Sequence, residues 1–247
     1  MTKALIKDKL EAFPRLYLGT LHCKRLGHWS RKWIVSRKTD ITIEGYPRSG
    51  NSFAHSAFRI AQDRKYRIAT HVHSHAQILR SVQLGLPTMV LLREPRAACL
   101  SLVALHNEIA ENDAAEVVFP LACRYLADNL RRYRTYYERV LAVRGGFVVA
   151  EFQRVTRDFG EIIRRVNRRF GTAFNEYRNS EANDADVFDR GGFHLSPNPQ
   201  RDALKASLER CFEDTVVGEL AERASAVYTQ MLELEAEQTE TLAPGGA

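Results

Sequence analysis

The chain has no long hydrophobic run. No uninterrupted apolar stretch nears the ~18 residues a membrane-spanning helix needs, so a helical membrane protein is excluded at the level of sequence. Cysteine is scarce. Cys23, Cys99, Cys123 and Cys211 lie far apart and form no CxxC pair. Neither a disulfide framework nor a zinc knuckle is expected, and the four read as buried free thiols in a reducing compartment. The start, MTKALIKDKLEAF, interrupts its apolar residues with charges and has no h-region or small-residue cleavage site, so the expectation is a chain made and kept in the cytoplasm. There are no internal repeats and no strong linker. What remains is an ordinary globular composition, 45% hydrophobic over 247 residues, enough to bury one sizeable core.

The net charge of +6 is unevenly spread. Residues 1–40 hold ten Lys/Arg against three acids, a net of +7 that leaves −1 for the rest. With Phe13, Leu16, Tyr17, Trp29 and Trp33 among those bases, residues 1–40 read as a basic amphipathic extension. Such a segment suits an anionic membrane surface or an acidic partner. It equally suits a solvated helix held to the domain by its aromatic residues, and the second reading is preferred. No nucleic-acid partner is expected.

From residue 41 strands alternate with helices. Ile41–Tyr46, Arg67–His73, Thr88–Leu92 and Gly146–Ala150 read as strands. Helices are expected over Ser52–Gln62, Ala76–Leu84, Ala97–His106, Glu116–Val143, Val155–Phe170 and Pro199–Leu234, the last broken near Gly218. "TMVLL" is a continuous apolar run, the mark of a strand buried on both faces. The pattern predicts a three-layer α/β domain over 41–240, with a mainly parallel sheet flanked by helices as in P-loop nucleotide kinases. Residues 175–200 read as a surface loop and 241–247 as a disordered tail.

The first motif is "GYPRSGNS", Gly45 to Ser52, directly after the strand "ITIE". Gly45 and Gly50 frame a phosphate-binding loop whose backbone N–H groups and following helix dipole attract an anion. Where a nucleotide triphosphatase carries its lysine stands Asn51, and the strand ending at Leu92 is followed by Arg93 rather than a metal-binding acid. Both facts argue against metal-assisted transfer from ATP. Arg48, inside the loop, supplies the positive charge instead.

"GYPRSGNSF" resembles the 5′-phosphosulfate-binding loop of the sulfotransferase superfamily. "LLREPRAACLSLV" is similar to that family's 3′-phosphate-binding segment, a strand-end arginine with a serine eight residues on, here Arg93 and Ser101. "FVVAEFQRV" followed by "RRFGTAF" looks like its third strand and helix, without the usual tyrosine-glutamate-aspartate. The resemblance covers 41–175 in outline and implies metal-independent transfer of a sulfuryl group from 3′-phosphoadenosine-5′-phosphosulfate to an acceptor hydroxyl. It implies donor contacts from Arg48, Ser49, Gly50, Asn51, Ser52, Phe53, Arg93 and Ser101. A late basic, glycine-containing segment is expected to fold over the 3′-phosphate, which nominates Arg190 and Arg201 with Gly191 and Gly192.

Transfer to a hydroxyl needs a base. "THVHSHAQIL" offers His71, His73 and His75. The family's base lies in a lysine-threonine-histidine stretch; "ATH" puts His71 there, 22 residues before Arg93, with Ala69 where the lysine would be. His71 is the first choice, His73 the second, and His75 reads as structural. A metal site built on the HxH pair lacks a partner set, because His55, His106 and His194 are scattered. Other readings are an inactive nucleotide-binding scaffold of the same fold, or a P-loop kinase. The acceptor expected is a carbohydrate or glycolipid; the arginine-rich stretch Arg124, Arg131, Arg132, Arg134 and Arg139 suits an acidic sugar or a solvated face with internal ion pairs.

Overall fold

The computed structural model describes residues 9–111, 119–191 and 199–242. Four strands, β1 (Ile41–Gly45), β2 (Ile68–Ala69), β3 (Thr88–Leu92) and β4 (Val148–Glu151), form one all-parallel sheet in the order β2-β1-β3-β4. Successive side chains point to opposite faces. Ile41, Ile43, Met89, Leu91, Val148 and Ala150 therefore share one core, and Val90, Leu92 and Val149 share the other.

The first core is covered by α2 (Asn51–Ala61) and α7 (Phe159–Phe170). The second is covered by α3 (His75–Gln83), α4 (Pro95–Glu111), α5 (Phe119–Leu141) and α10 (Thr215–Thr241). The expected α/β layering is thus present. Among the described residues no helix is long and apolar enough to cross a membrane.

Several boundaries differ from the sequence reading, each for a local reason. The second strand is two residues long, because the chain turns into the left-handed region at His71 (φ 53°) and His73 (φ 53°). The single helix expected over 155–170 is two, α6 (Phe152–Arg157) and α7, divided at Asp158 (φ −150°), whose carboxylate accepts from the Glu161 N–H at 3.3 Å. Gly218 does not break the C-terminal helix. The break is at Asp214, which caps α10 by accepting from the N–H groups of Val216 and Val217, while α9 (Pro199–Leu208) precedes it.

Part of the expected 175–200 loop is corrected too. α8 (Glu181–Gly191) forms there, and Val187 is fully buried against the α2 side of the sheet. Composition misled because an Asn/Asp-rich helix with one inward apolar stripe looks like a loop. Of the expected glycine-containing segment, Arg190 and Gly191 lie in α8 and Arg201 in the helix Pro199–Leu208, and Thr241 of the expected disordered tail ends α10; residues 192–198 and 243–247, with Gly192, lie outside the described part.

The thiols are a second correction. Cys123 and Cys211, 88 residues apart in sequence, form a disulfide. α5 carries Cys123 and the turn after α9 carries Cys211, so only the packed fold brings them to a Cα–Cα distance of 5.3 Å. Cys99 is a buried free thiol as expected, and Cys23 is exposed. The basic segment, for its part, belongs to the fold. α1 (Pro14–Lys24) and the 3₁₀ turn Trp29–Trp33 bring Tyr17, Leu18, Ile34 and Val35 against Ala69 and Ala76.

Candidate functional site

The C-terminal ends of β1 and β3 approach so closely that a Cβ on Gly45 would lie 2.5 Å from the Leu91 carbonyl oxygen. Glycine is required there. From Gly45 the chain enters the loop, held by a tyrosine strut: the Tyr137 hydroxyl donates to Leu91 C=O at 2.7 Å and accepts from the Tyr46 N–H at 3.3 Å. Gly50 adopts φ 92° as the residue before α2, whose first N–H groups have no intrahelical acceptor.

A cavity of about 930 Å³ opens at this end of the sheet. It is lined by Arg48, Gly50, Asn51, Ser52 and Phe53 from the loop and α2, by His71 and His73, by Arg93 and Ser101, and by Arg201. Ten of the nominated residues thus face one space, although they come from four stretches of chain. One described nominee does not join them. Ser49 is fully buried with its hydroxyl 3.4 Å from that of Tyr137, so it braces the loop rather than lining the cavity. The side chain of Arg190 lies outside the described part.

The expected pairings are rearranged. Arg93 was to share one phosphate with Ser101. Instead Arg48 Nε donates to Ser101 Oγ at 2.9 Å, and Arg93 Nη1 donates to the Arg48 carbonyl at 2.9 Å while lying 4.2 Å from the centre of the Phe152 ring. The Tyr133 hydroxyl fixes the Arg93 backbone by donating to its C=O at 2.6 Å. Burial lowers the pKa of Arg93, with Glu94 and Glu151 opposing it, the direction expected when desolvation outweighs the nearby anions. Asn51 donates to Tyr46 C=O at 3.1 Å and is nearly buried, so the position of the triphosphatase lysine is used to lock the loop.

Only three non-glycine residues among those described have positive φ: Arg48 (69°), His71 and His73. All three line this cavity. Left-handed backbone at a non-glycine residue costs on the order of 1 kcal/mol, and its confinement to one cavity points to a functional demand there.

The histidines differ in kind. His71 has both nitrogens engaged, Nδ1 2.9 Å from Thr70 Oγ1 and Nε2 3.2 Å from Ser52 Oγ, with its ring 5.0 Å from that of Trp33. Burial, with smaller contributions from His73 and His55, pulls its pKa down to about 3, so it is neutral near pH 7. His55, in ring contact with His71, is pulled down to about 4 by burial, Arg59 and Lys32.

His73 has only Nδ1 engaged, 3.2 Å from Gly45 C=O and 3.5 Å from Glu44 Oε1. A carbonyl only accepts, so Nδ1 carries the proton and Nε2 keeps its lone pair. Glu44 is fully buried. Its Oε2 accepts from the Val72 N–H and Gln77 Nε2, both at 2.9 Å, and its Oε1 from the Gly45 N–H at 3.2 Å. Burial raises its pKa; His73 and the backbone donors oppose that.

Sequence reasoning missed Glu44, a carboxylate inside an apolar strand whose partners come from the later turn at His71–His73. It missed Lys205 and Phe188, which also line the cavity, because they come from helices far along the chain. Comparison of the chain with models of protein families, with curated proteins and with solved structures found no match.

Proposed function

We propose that the protein is a sulfotransferase that moves a sulfuryl group from 3′-phosphoadenosine-5′-phosphosulfate to an acceptor hydroxyl, with His73 as the base. One observation carries the reading. Arg48, Arg93, Ser101 and the phosphate-type loop line a single cavity together with two histidines, one of which has a free basic nitrogen held by a buried carboxylate. The loop amides and Arg48 suit the sulfonate end of the donor, and Arg93 with Arg201 the 3′-phosphate. The acceptor oxygen forms a bond to sulfur as the bond from sulfur to the 5′-phosphate oxygen breaks. The acceptor proton passes to His73 Nε2, and adenosine 3′,5′-bisphosphate leaves.

His73 is preferred here over the first choice made from sequence. A nitrogen already paired and depressed to about 3 accepts protons poorly. His71, paired with Ser52, then positions the first turn of α2.

The P-loop-like character of the fold belongs to this proposal, as does a cytoplasmic location. That location sits uneasily with the Cys123–Cys211 disulfide, because reducing compartments keep thiols free. Peripheral membrane contact through residues 1–40 is favoured by Phe13 and Leu16, exposed beside basic residues.

The test is thermal stabilisation by adenosine 3′,5′-bisphosphate, followed by transfer of labelled sulfate from the donor into a cell extract. Stabilisation with transfer lost in His73→Ala supports the reading. Stabilisation without transfer favours the inactive scaffold, and stabilisation by magnesium ATP alone favours a kinase.

A further inference from the structure

His73 also lines a second, smaller cavity of about 380 Å³ on the other side of the loop. The two cavities share Pro47, His73, Leu102 and His106 in their linings, so they meet at these residues. The volume is at the lower end of small-molecule sites and suits one or two rings.

Its chemistry is specific. Arg131, Arg132 and Arg139 come from α5, and Glu11 also lines the cavity. Arg131 is paired with Asp128 at 2.8 Å, whereas Arg132 and Arg139 make no ion pair among the described residues. The second pointer is Tyr136. It is almost fully buried, lines the cavity, and its hydroxyl has no hydrogen-bond partner. A buried hydroxyl without a partner is uncommon because it has lost water and gained nothing. Tyr46 and Tyr125 complete aromatic walls suited to a ring.

We infer that this cavity binds the acceptor, and that the acceptor is a small anionic alcohol whose carboxylate meets Arg132 and Arg139 while Tyr136 hydrogen-bonds a polar atom of its ring. As an acceptor site the inference rests on the sulfuryl-transfer reading, since it needs a hydroxyl held against His73 Nε2. As a site for a ring-shaped anion it stands alone.

The probes are methyl β-D-glucuronide and methyl β-D-glucoside, which differ only in the carboxylate, with binding followed by calorimetry or ligand-observed NMR on the full chain. The glucuronide is expected to bind with millimolar or better affinity and the glucoside at least about tenfold more weakly. Arg132→Ala with Arg139→Ala should remove that preference; both side chains are exposed, so the fold survives. Tyr136→Phe should weaken the glucuronide and yet leave the melting temperature of the free protein unchanged or higher, because its hydroxyl has no partner to lose. A Tyr136 hydroxyl with a structural role would instead lower it.

Equal binding of both probes, or a preference that survives the double arginine change, overturns the inference even if adenosine 3′,5′-bisphosphate binds normally. Arginine-dependent glucuronide binding without any bisphosphate binding leaves the anion site standing and removes its role as acceptor site.

Discussion

Glu44→Gln separates a carboxylate that merely stitches the fold from one that aims a base. Wild-type Glu44 offers two accepting oxygens to the N–H groups of Gly45, Val72 and His73 and to Gln77 Nε2, and stands 3.5 Å from His73 Nδ1. Glutamine keeps one acceptor. With its oxygen in the Oε2 position the bonds to Val72 and Gln77 survive, and its NH₂ then faces the Gly45 N–H and His73 Nδ1–H. One buried donor is left opposed rather than bonded, at about 1–3 kcal/mol. For a chain this long that is a fall in melting temperature of about 4–8 °C, taking about 2 kcal/mol as the centre. Domains of this kind are stable by about 5–15 kcal/mol, so at 25 °C nearly all molecules stay folded. A loss of activity then cannot be ascribed to unfolding. With the His73 ring no longer held, kcat should fall about 10- to 100-fold, while the donor KM stays within about threefold, because Glu44 does not line the donor cavity. The assay is steady-state sulfate transfer beside a thermal melt. If the melt shifts as calculated and kcat does not move, Glu44 is structural and the assignment of His73 as base loses its support.

Arg93→Met should leave the free protein as stable or more so, since burial already penalises the charge, and should weaken adenosine 3′,5′-bisphosphate about 10- to 100-fold by calorimetry. His71 and His55 make folding sensitive to acid. Their folded pKa values, about 3 and about 4, lie below the unfolded value, so stability is full above pH 6.5 and is lost as pH falls through it. Each contributes a loss of up to about 2 kcal/mol between pH 7.5 and 5, and His55→Gln should flatten a plot of melting temperature against pH by its share. His73→Gly should be more stable than His73→Ala by about 1 kcal/mol in a denaturant titration, because φ 53° suits glycine. Reducing the Cys123–Cys211 bond, which closes a long loop, should cost about 2–4 kcal/mol, read as a lower melt in the presence of a thiol.

What the sequence made legible is what local chemistry dictates. "TMVLL" became β3 over the expected residues, and Gly171 ended α7 in the left-handed conformation. The loop from Gly45 to Ser52 could be nominated because its glycine frame follows one strand and opens one helix, and the pair Arg93 and Ser101 because the segment resembles a known phosphate-binding one. Glu44, Tyr136 and Cys211 could not. A carboxylate inside an apolar strand is informative only once the turn at His71–His73 is known to need its oxygens, and a buried tyrosine hydroxyl is unremarkable until its partners are counted. The lysine missing from the loop illustrates the same limit. The resemblance made Asn51 a candidate contact for the donor, yet its amide bonds back to Tyr46 C=O. The residue that in a triphosphatase reaches outward to phosphate here points inward, and the positive charge comes from Arg48 at a backbone angle that arginine adopts only under constraint. Moving the cation from the helix to the loop sets Arg48 Nε on Ser101 Oγ and the Arg93 guanidinium on the Arg48 carbonyl, so both cations border one cavity. Burial, opposed by Glu94 and Glu151, already works against the Arg93 charge and an anionic ligand offsets it, and for that reason the Arg93→Met experiment should show stability and affinity moving in opposite directions.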